Sequence, residues 1–196
     1  FVRFGHFQML AARQETELLA TFTNFVIERE FPAIAKAHQD DTSRYLAWFD
    51  DVCQRTAKLM VEWMRVGFVH GVMNTDNVAI SGESIDYGPC AFMDRFAVNT
   101  VFSSIDANGR YSYGRQPQIL HWNMARFAEA LLPAIHAVEP GDVEEAKALA
   151  NAIPERFRAA WFARMRAKLG LTQPGEGDAE LIDGFFDQLE THQVDF

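Results

Sequence analysis

The sequence predicts a mainly α-helical domain that carries one small β-hairpin. Three observations lead there. Apolar residues recur at helical spacing in several segments, that period vanishes between Gly67 and Asp94 among Asn, Asp and Gly residues, and Pro or Gly punctuates the segment ends. The 196 residues are enough for one hydrophobic core, since single cores usually serve roughly 100 to 200 residues. Nearly half the residues are hydrophobic, with 17 Phe and 4 Trp, so the chain buries apolar surface and is not a disordered polymer.

The elements follow in order. Between Glu15 and Glu30, Leu18, Leu19, Phe22, Phe25 and Val26 fall on one helical face, and Pro32 follows the end of that helix. A second helix is signalled from about Ser43 to Val66 by Tyr45, Phe49, Val52, Met60, Trp63 and Met64, with Arg65 and Gly67 as its stop. After it, "GFVH", "VAI" and "SIDY" read as short strands around the turn "SGES", a small hairpin beside a helical body. Residues 97–116 are irregular. Helix returns from about Pro117 to Ala137, with Ile119, Leu120, Trp122, Phe127, Leu131 and Leu132 on its apolar side. Asp142 and Glu145 form a capping-box-like start for the next helix, Pro154 separates it from "ERFRAAWFARMRAKLG", and Gly170 closes that one. Asp178 is the expected N-cap of the last helix, "AELIDGFFDQLETH".

Charge and composition exclude some classes of partner. A formal net charge of -9 gives no basic footprint for nucleic acid or anionic lipid. No apolar run approaches the roughly 18 to 20 residues that span a bilayer, so neither nucleic acid nor membrane is an expected partner. The two cysteines, Cys53 and Cys90, have no metal-like spacing and are expected as free thiols in a reducing compartment. The opening "FVRFGHFQMLAAR" lacks an initiator Met, and the chain is expected to be a segment of something longer.

The chemistry concentrates in "HGVMNTDN", His70 to Asn77. Asp76 and Asn77 offer hard oxygen donors, and Asp86 follows nine residues later in "IDYG". Magnesium takes such oxygens and keeps waters and phosphates for its remaining positions, so one or two protein ligands are typical of a nucleotide site. The order resembles the centre of the protein-kinase-like fold, in which HRDxxxxN supplies a base and a metal ligand and DFG a second metal ligand. His70 and Asn77 keep the seven-residue spacing of that motif, and "DYG", Asp86 to Gly88, stands where DFG would. One departure matters. The position two after His70, where a kinase carries its base, is Val72, which leaves Asp76 as the available carboxylate.

The strings "GFVHGVMNTDN", "IDYGPCAFMD" and "GRYSYGRQPQILHWN" closely resemble the selenoprotein O family, a group with a pseudokinase fold. The resemblance begins in "RFGHFQMLAAR" and runs through the Trp122 helix; beyond about Val138 the sequence carries little of its signature. What it implies is AMPylation: ATP bound in a flipped orientation, and AMP transferred to Ser, Thr or Tyr hydroxyls of protein substrates. Carried over by position, Asp76 matches the catalytic base, and Asn77 and Asp86 match the ligands of Mg2+ or Mn2+. The fold class so implied is a protein-kinase-like helical C-lobe with the small hairpin at its metal loop. The β-rich N-lobe of the same protein, with its Gly-rich loop and Lys–Glu pair, and the family's C-terminal redox motif have no counterpart in this sequence. The fragment by itself is therefore expected to be inactive. The implied location is the bacterial cytoplasm, or the mitochondrion in a eukaryote, and the Ala-rich composition favours a bacterium.

Plainer roles suit several neighbours. His70 is expected to support the loop backbone, and Asn74 to staple its turn. Arg3 and Arg13 suit contacts with ATP phosphates but serve equally well as surface charges. Trp48, Trp63, Trp122 and Trp161 are assigned to the core. "GDVEEAK" reads as a solvated helix start, and Asp94 with Arg95 resembles the opening of an activation-type segment. Two rival functions are an atypical kinase moving the γ-phosphate, against which Val72 argues, and a noncatalytic nucleotide-binding pseudokinase module.

Overall fold

The computed structural model describes residues 1–134 and 140–196. Among them stand eight helices: α1 Phe4–Ala12, α2 Thr16–Glu30, α3 Pro32–Ala37, α4 Asp41–Arg65, α5 Gln116–Leu131, α6 Pro140–Asn151, α7 Ile153–Lys168 and α8 Asp178–Thr191. Two short strands, β1 Phe68–Val69 and β2 Ala91–Phe92, pair antiparallel with Phe68 opposite Phe92 and Val69 opposite Ala91. The chain forms two compact units, Phe1–Thr56 with Asn74–Ile85 and His121–Ile153, and Ala57–Met73 with Asp86–Leu120 and Pro154–Phe196.

The first unit is built on aromatic packing. Phe4 stacks on Phe127 at 4.5 Å between ring centroids, and Trp48 meets Phe127 edge-on at 5.4 Å. Phe7 lies 5.4 Å from Trp48 and 5.2 Å from Phe127, and all four side chains are fully buried. Such pairs contribute roughly 0.5 to 1.5 kcal/mol each beyond the burial of their area. This cluster fixes α1 in place. The Tyr45 hydroxyl donates to the Ala20 carbonyl at 3.3 Å, and burial pushes its pKa up to about 12.

The second unit has its own ring cluster of Phe96, Tyr113, Phe186 and Phe196, with Phe96 to Phe186 at 5.2 Å and Phe96 to Phe196 at 5.4 Å. Residues Val194 to Phe196 lie beside Asp94 to Phe96. Phe196 N–H donates to Asp94 O at 2.7 Å, Phe96 N–H donates to Val194 O at 2.9 Å, and Arg95 bridges Asp195. The segment that resembles an activation loop is thus pinned at its start by the last three residues.

Several expectations change. The helices expected from Glu15, Ser43, Pro117, "ERFRAAW" and "AELIDG" are present as α2, α4, α5, α7 and α8. The hairpin between "VAI" and "SIDY" is absent. Ala79 bridges Arg3 instead, and the sheet joins residues 68–69 to 91–92. α1 and α3 were not anticipated. On α2 the buried face is Leu19, Ala20, Thr23, Val26 and Ile27, while Leu18 and Phe25 are each 53% exposed. Thr23 tolerates burial because its hydroxyl donates to the Leu19 carbonyl at 2.8 Å. Of the four tryptophans only Trp48 is fully buried, and Trp122 is 42% exposed with the Arg126 guanidinium over its ring. Asp142 sits inside α6, and Gly177 precedes Asp178 as the N-cap of α8. The end of the helix expected to Ala137 falls at residues 135–137, outside the described residues. Cys53 and Cys90 are free thiols.

Phe127 touches every ring of the first cluster, so Phe127→Ala is expected to cost about 3 to 5 kcal/mol. Denaturant unfolding checks this; a loss below about 1 kcal/mol would mean that the cluster is not the anchor of this unit.

Candidate functional site

The loop that carries Asp76 has a backbone reason for its shape. Asn74 opens a 3-10 turn over Thr75–Asn77, its side-chain oxygen accepting the Asp76 N–H at 3.0 Å, and Asn77 N–H donates to the Asn74 carbonyl at 3.0 Å. Asn74 is thus a staple, and the turn directs the Asp76 carboxylate to solvent with Asn77 half-buried beside it. The following residues pair with the start of the chain. Phe4 N–H donates to Val78 O at 3.1 Å, Ile80 N–H donates to Val2 O at 3.0 Å, and the Arg3 guanidinium donates to Asp76 O at 3.3 Å.

Arg3 therefore lies beside Asp76, whereas Arg13 is exposed at the opposite end of α1 as its C-cap. Two residues passed over in the sequence join this corner. A Cβ built on Gly5 would fall on the Asp76 carboxylate, 2.9 Å from its carbon. His6 accepts the Arg3 backbone N–H on Nδ1 at 3.1 Å. Burial and the Arg3 guanidinium hold the His6 imidazole below the ordinary histidine value, while the Asp76 carboxylate pulls the other way. The readable signal for this corner was Phe4, Phe7 and Leu10 at helical spacing, which would have placed α1.

Asp86 belongs to the second unit. It is exposed and adopts φ +57°, a left-handed conformation uncommon for a side-chain-bearing residue, with Gly88 N–H closing on its carbonyl at 2.9 Å. In the same unit Gly71, at φ +85°, lets Pro89 approach so closely that a Cβ would meet both its ring and its carbonyl oxygen at 3.0 Å. The stretch after His70 is thereby held against the stretch after Asp86. His70 is fully buried, donates its N–H to Gln116 Oε1 at 3.0 Å and stacks on Trp63 at 5.3 Å, the supporting role expected of it.

Among the described residues no group of three or more His, Cys, Asp or Glu side chains is arranged to hold a metal ion. A magnesium ion held by two protein oxygens and completed by water and phosphates needs no such group. Asn77 carries a carboxamide oxygen in the first unit and Asp86 a carboxylate in the second, both hard donors by type. Among the described residues no helix is long and apolar enough to cross a membrane.

Comparison with known proteins gives the family. The family model described as Protein adenylyltransferase SelO matches residues 1–196, and the chain belongs to that family. The match includes the part beyond Val138 that carries little recognisable signature. The chain is 62% identical over 195 residues to the Protein nucleotidyltransferase YdiU of Sphingopyxis alaskensis, covering 100% of this chain and 39% of that relative. It is 46% identical to the protein of that name from Rhizobium johnstonii, over 100% of this chain and 38% of the relative, and 47% identical to one from Cereibacter sphaeroides, over 100% and 40%. The chain thus spans about two-fifths of the length of the curated relatives it matches.

The neutral state of His6 has a consequence for stability. Its folded pKa lies below the ordinary 6.5, so below that pH the unfolded chain takes up the proton more readily and stability rises with pH. The contribution is fully present above pH 6.5 and is lost as pH falls through the folded pKa. His6→Gln is expected to flatten the melting temperature against pH between about 5 and 7; an unchanged slope would contradict this.

Proposed function

We propose that the full-length protein carrying this chain transfers AMP from magnesium-bound ATP to Ser, Thr or Tyr hydroxyls of other proteins, and that this chain is a kinase-like helical C-lobe of that enzyme. One observation carries the reading: in a member of the adenylyltransferase family, the "TDN" turn presents an exposed carboxylate, Asp76, backed by Asn77 and flanked by Arg3.

In this reading Asp76 takes the proton of the attacking hydroxyl. The hydroxyl oxygen bonds to the α-phosphorus, the bond from that phosphorus to the bridging oxygen breaks, and pyrophosphate leaves. Asn77 and Asp86 are the proposed ligands of magnesium or manganese, which when bound would neutralise charge developing on the phosphates. Arg3 would orient phosphate oxygens through its planar guanidinium. Holding the acceptor and the α-phosphorus in line supplies the remainder, by positioning. Val72, where a kinase would have its base, disfavours transfer of the γ-phosphate. The bacterial relatives support a bacterial setting, with the cytoplasm as the proposed location.

Asp76→Asn keeps the shape and removes the basic oxygen. In the full-length protein it is expected to lower the rate of AMP transfer by roughly 10²- to 10⁴-fold while ATP binding persists. Transfer at the unmodified rate would remove Asp76 from the mechanism.

A further inference from the structure

We propose that Gly5 is a positioning residue for Asp76: the missing side chain at position 5 makes the seat that holds the Asp76 carboxylate in its working orientation. The inference rests on the reading of Asp76 as the base.

Neither helix formation nor backbone conformation explains a glycine here. Gly5 is the second residue of α1 and is not among the glycines with positive φ, so alanine would suit its backbone better. What position 5 lacks is room. An added Cβ would overlap the Asp76 carboxylate oxygen, and would stand 2.9 Å from its carbon and 3.4 Å from the Asp76 Cα.

The Asp76 backbone cannot retreat. Its N–H is bound by the Asn74 side chain at 3.0 Å, its carbonyl accepts from Arg3 at 3.3 Å, and two residues on Val78 O accepts from Phe4 at 3.1 Å. The donor Phe4 is itself locked in the aromatic cluster against Phe127. The movable part is the Asp76 side chain, which is exposed and has solvent to turn into. A methyl group at position 5 therefore drives the carboxylate into another rotamer and leaves the turn standing. The first turn of α1, whose end attracts a carboxylate, adds to the same seat.

The test uses the full-length protein with magnesium and α-labelled ATP, total protein of a bacterial lysate as acceptor, and three variants: Gly5→Ala, Asp76→Asn and the two combined. Gly5→Ala is expected to lower the transfer rate about 10- to 100-fold, as misplacement by about 1 Å does, with half-saturating ATP unchanged within about twofold. Added to Asp76→Asn it is expected to have no further effect, because the oxygen it displaces is already disabled. A Gly5→Ala enzyme of unmodified rate beside an inactive Asp76→Asn enzyme overturns the role of Gly5 and leaves the base in place. Full activity of Asp76→Asn, or no α-label transfer by the unmodified protein, removes the base reading and this proposal with it. Melting temperature guards against a folding defect. If Gly5→Ala lowers it, adding Asp76→Ala is expected to restore it, and a loss that persists would mean that the space serves the backbone and would overturn the proposal.

Discussion

The chain's first residues lie antiparallel to residues 78–80, and the candidate site depends on that pairing. Phe4 N–H on Val78 O and Ile80 N–H on Val2 O close a short two-sided seat, with Arg3 opposite Ala79 between them. The seat is rigid because Phe4 and Phe7 are buried against Trp48 and Phe127. Packing therefore reaches chemistry in few steps: aromatic rings fix α1, α1 fixes Arg3 and the Asp76 carbonyl, and the Asn74 turn leaves the Asp76 carboxylate exposed. A functional carboxylate on a loop needs such a frame, since loops without one lack the positional precision that catalysis demands.

The second unit holds Asp86 and Pro89 by different means. Asp86 is held in a left-handed backbone conformation, and Gly71, itself at φ +85°, admits Pro89 at a distance tighter than most side chains accept. The His70 N–H donates to Gln116, its Nδ1 accepts from the Val72 N–H, and its ring stacks on Trp63. Its place in the motif is structural. Of the residues that resemble a kinase motif, His70 is buried, Asn77 is half-buried and Asp86 is exposed.

Much of this was legible in the sequence, and the failures have physical causes. The long helix α4 was plain because Tyr45, Phe49, Val52, Met60 and Met64 repeat over many turns, and all of them are buried. On α2 two overlapping stripes fit the helical period; Leu19 and Val26 lie on the buried one as expected, while Leu18 and Phe25 give way to Thr23, polar by type but buried through its own bond to Leu19. "VAI" reads as a strand for sound local reasons, but its partner lies more than 70 residues away at Arg3, and nothing local specifies a pairing that distant. The roles of His70 and Asn74 were legible because turn chemistry is local. Gly5 was not, because its meaning lies in what occupies the space beside it.

The central claim, that this lobe belongs to an enzyme moving AMP and not phosphate, is tested most directly by the fate of two labels. The full-length protein with magnesium would be incubated separately with α-labelled and γ-labelled ATP, with Asp86→Ala as the control. The account predicts label on protein from the α-position only, abolished in the variant. Label from the γ-position only would make the lobe part of a kinase, and label from neither would make it a noncatalytic module; each result contradicts the account.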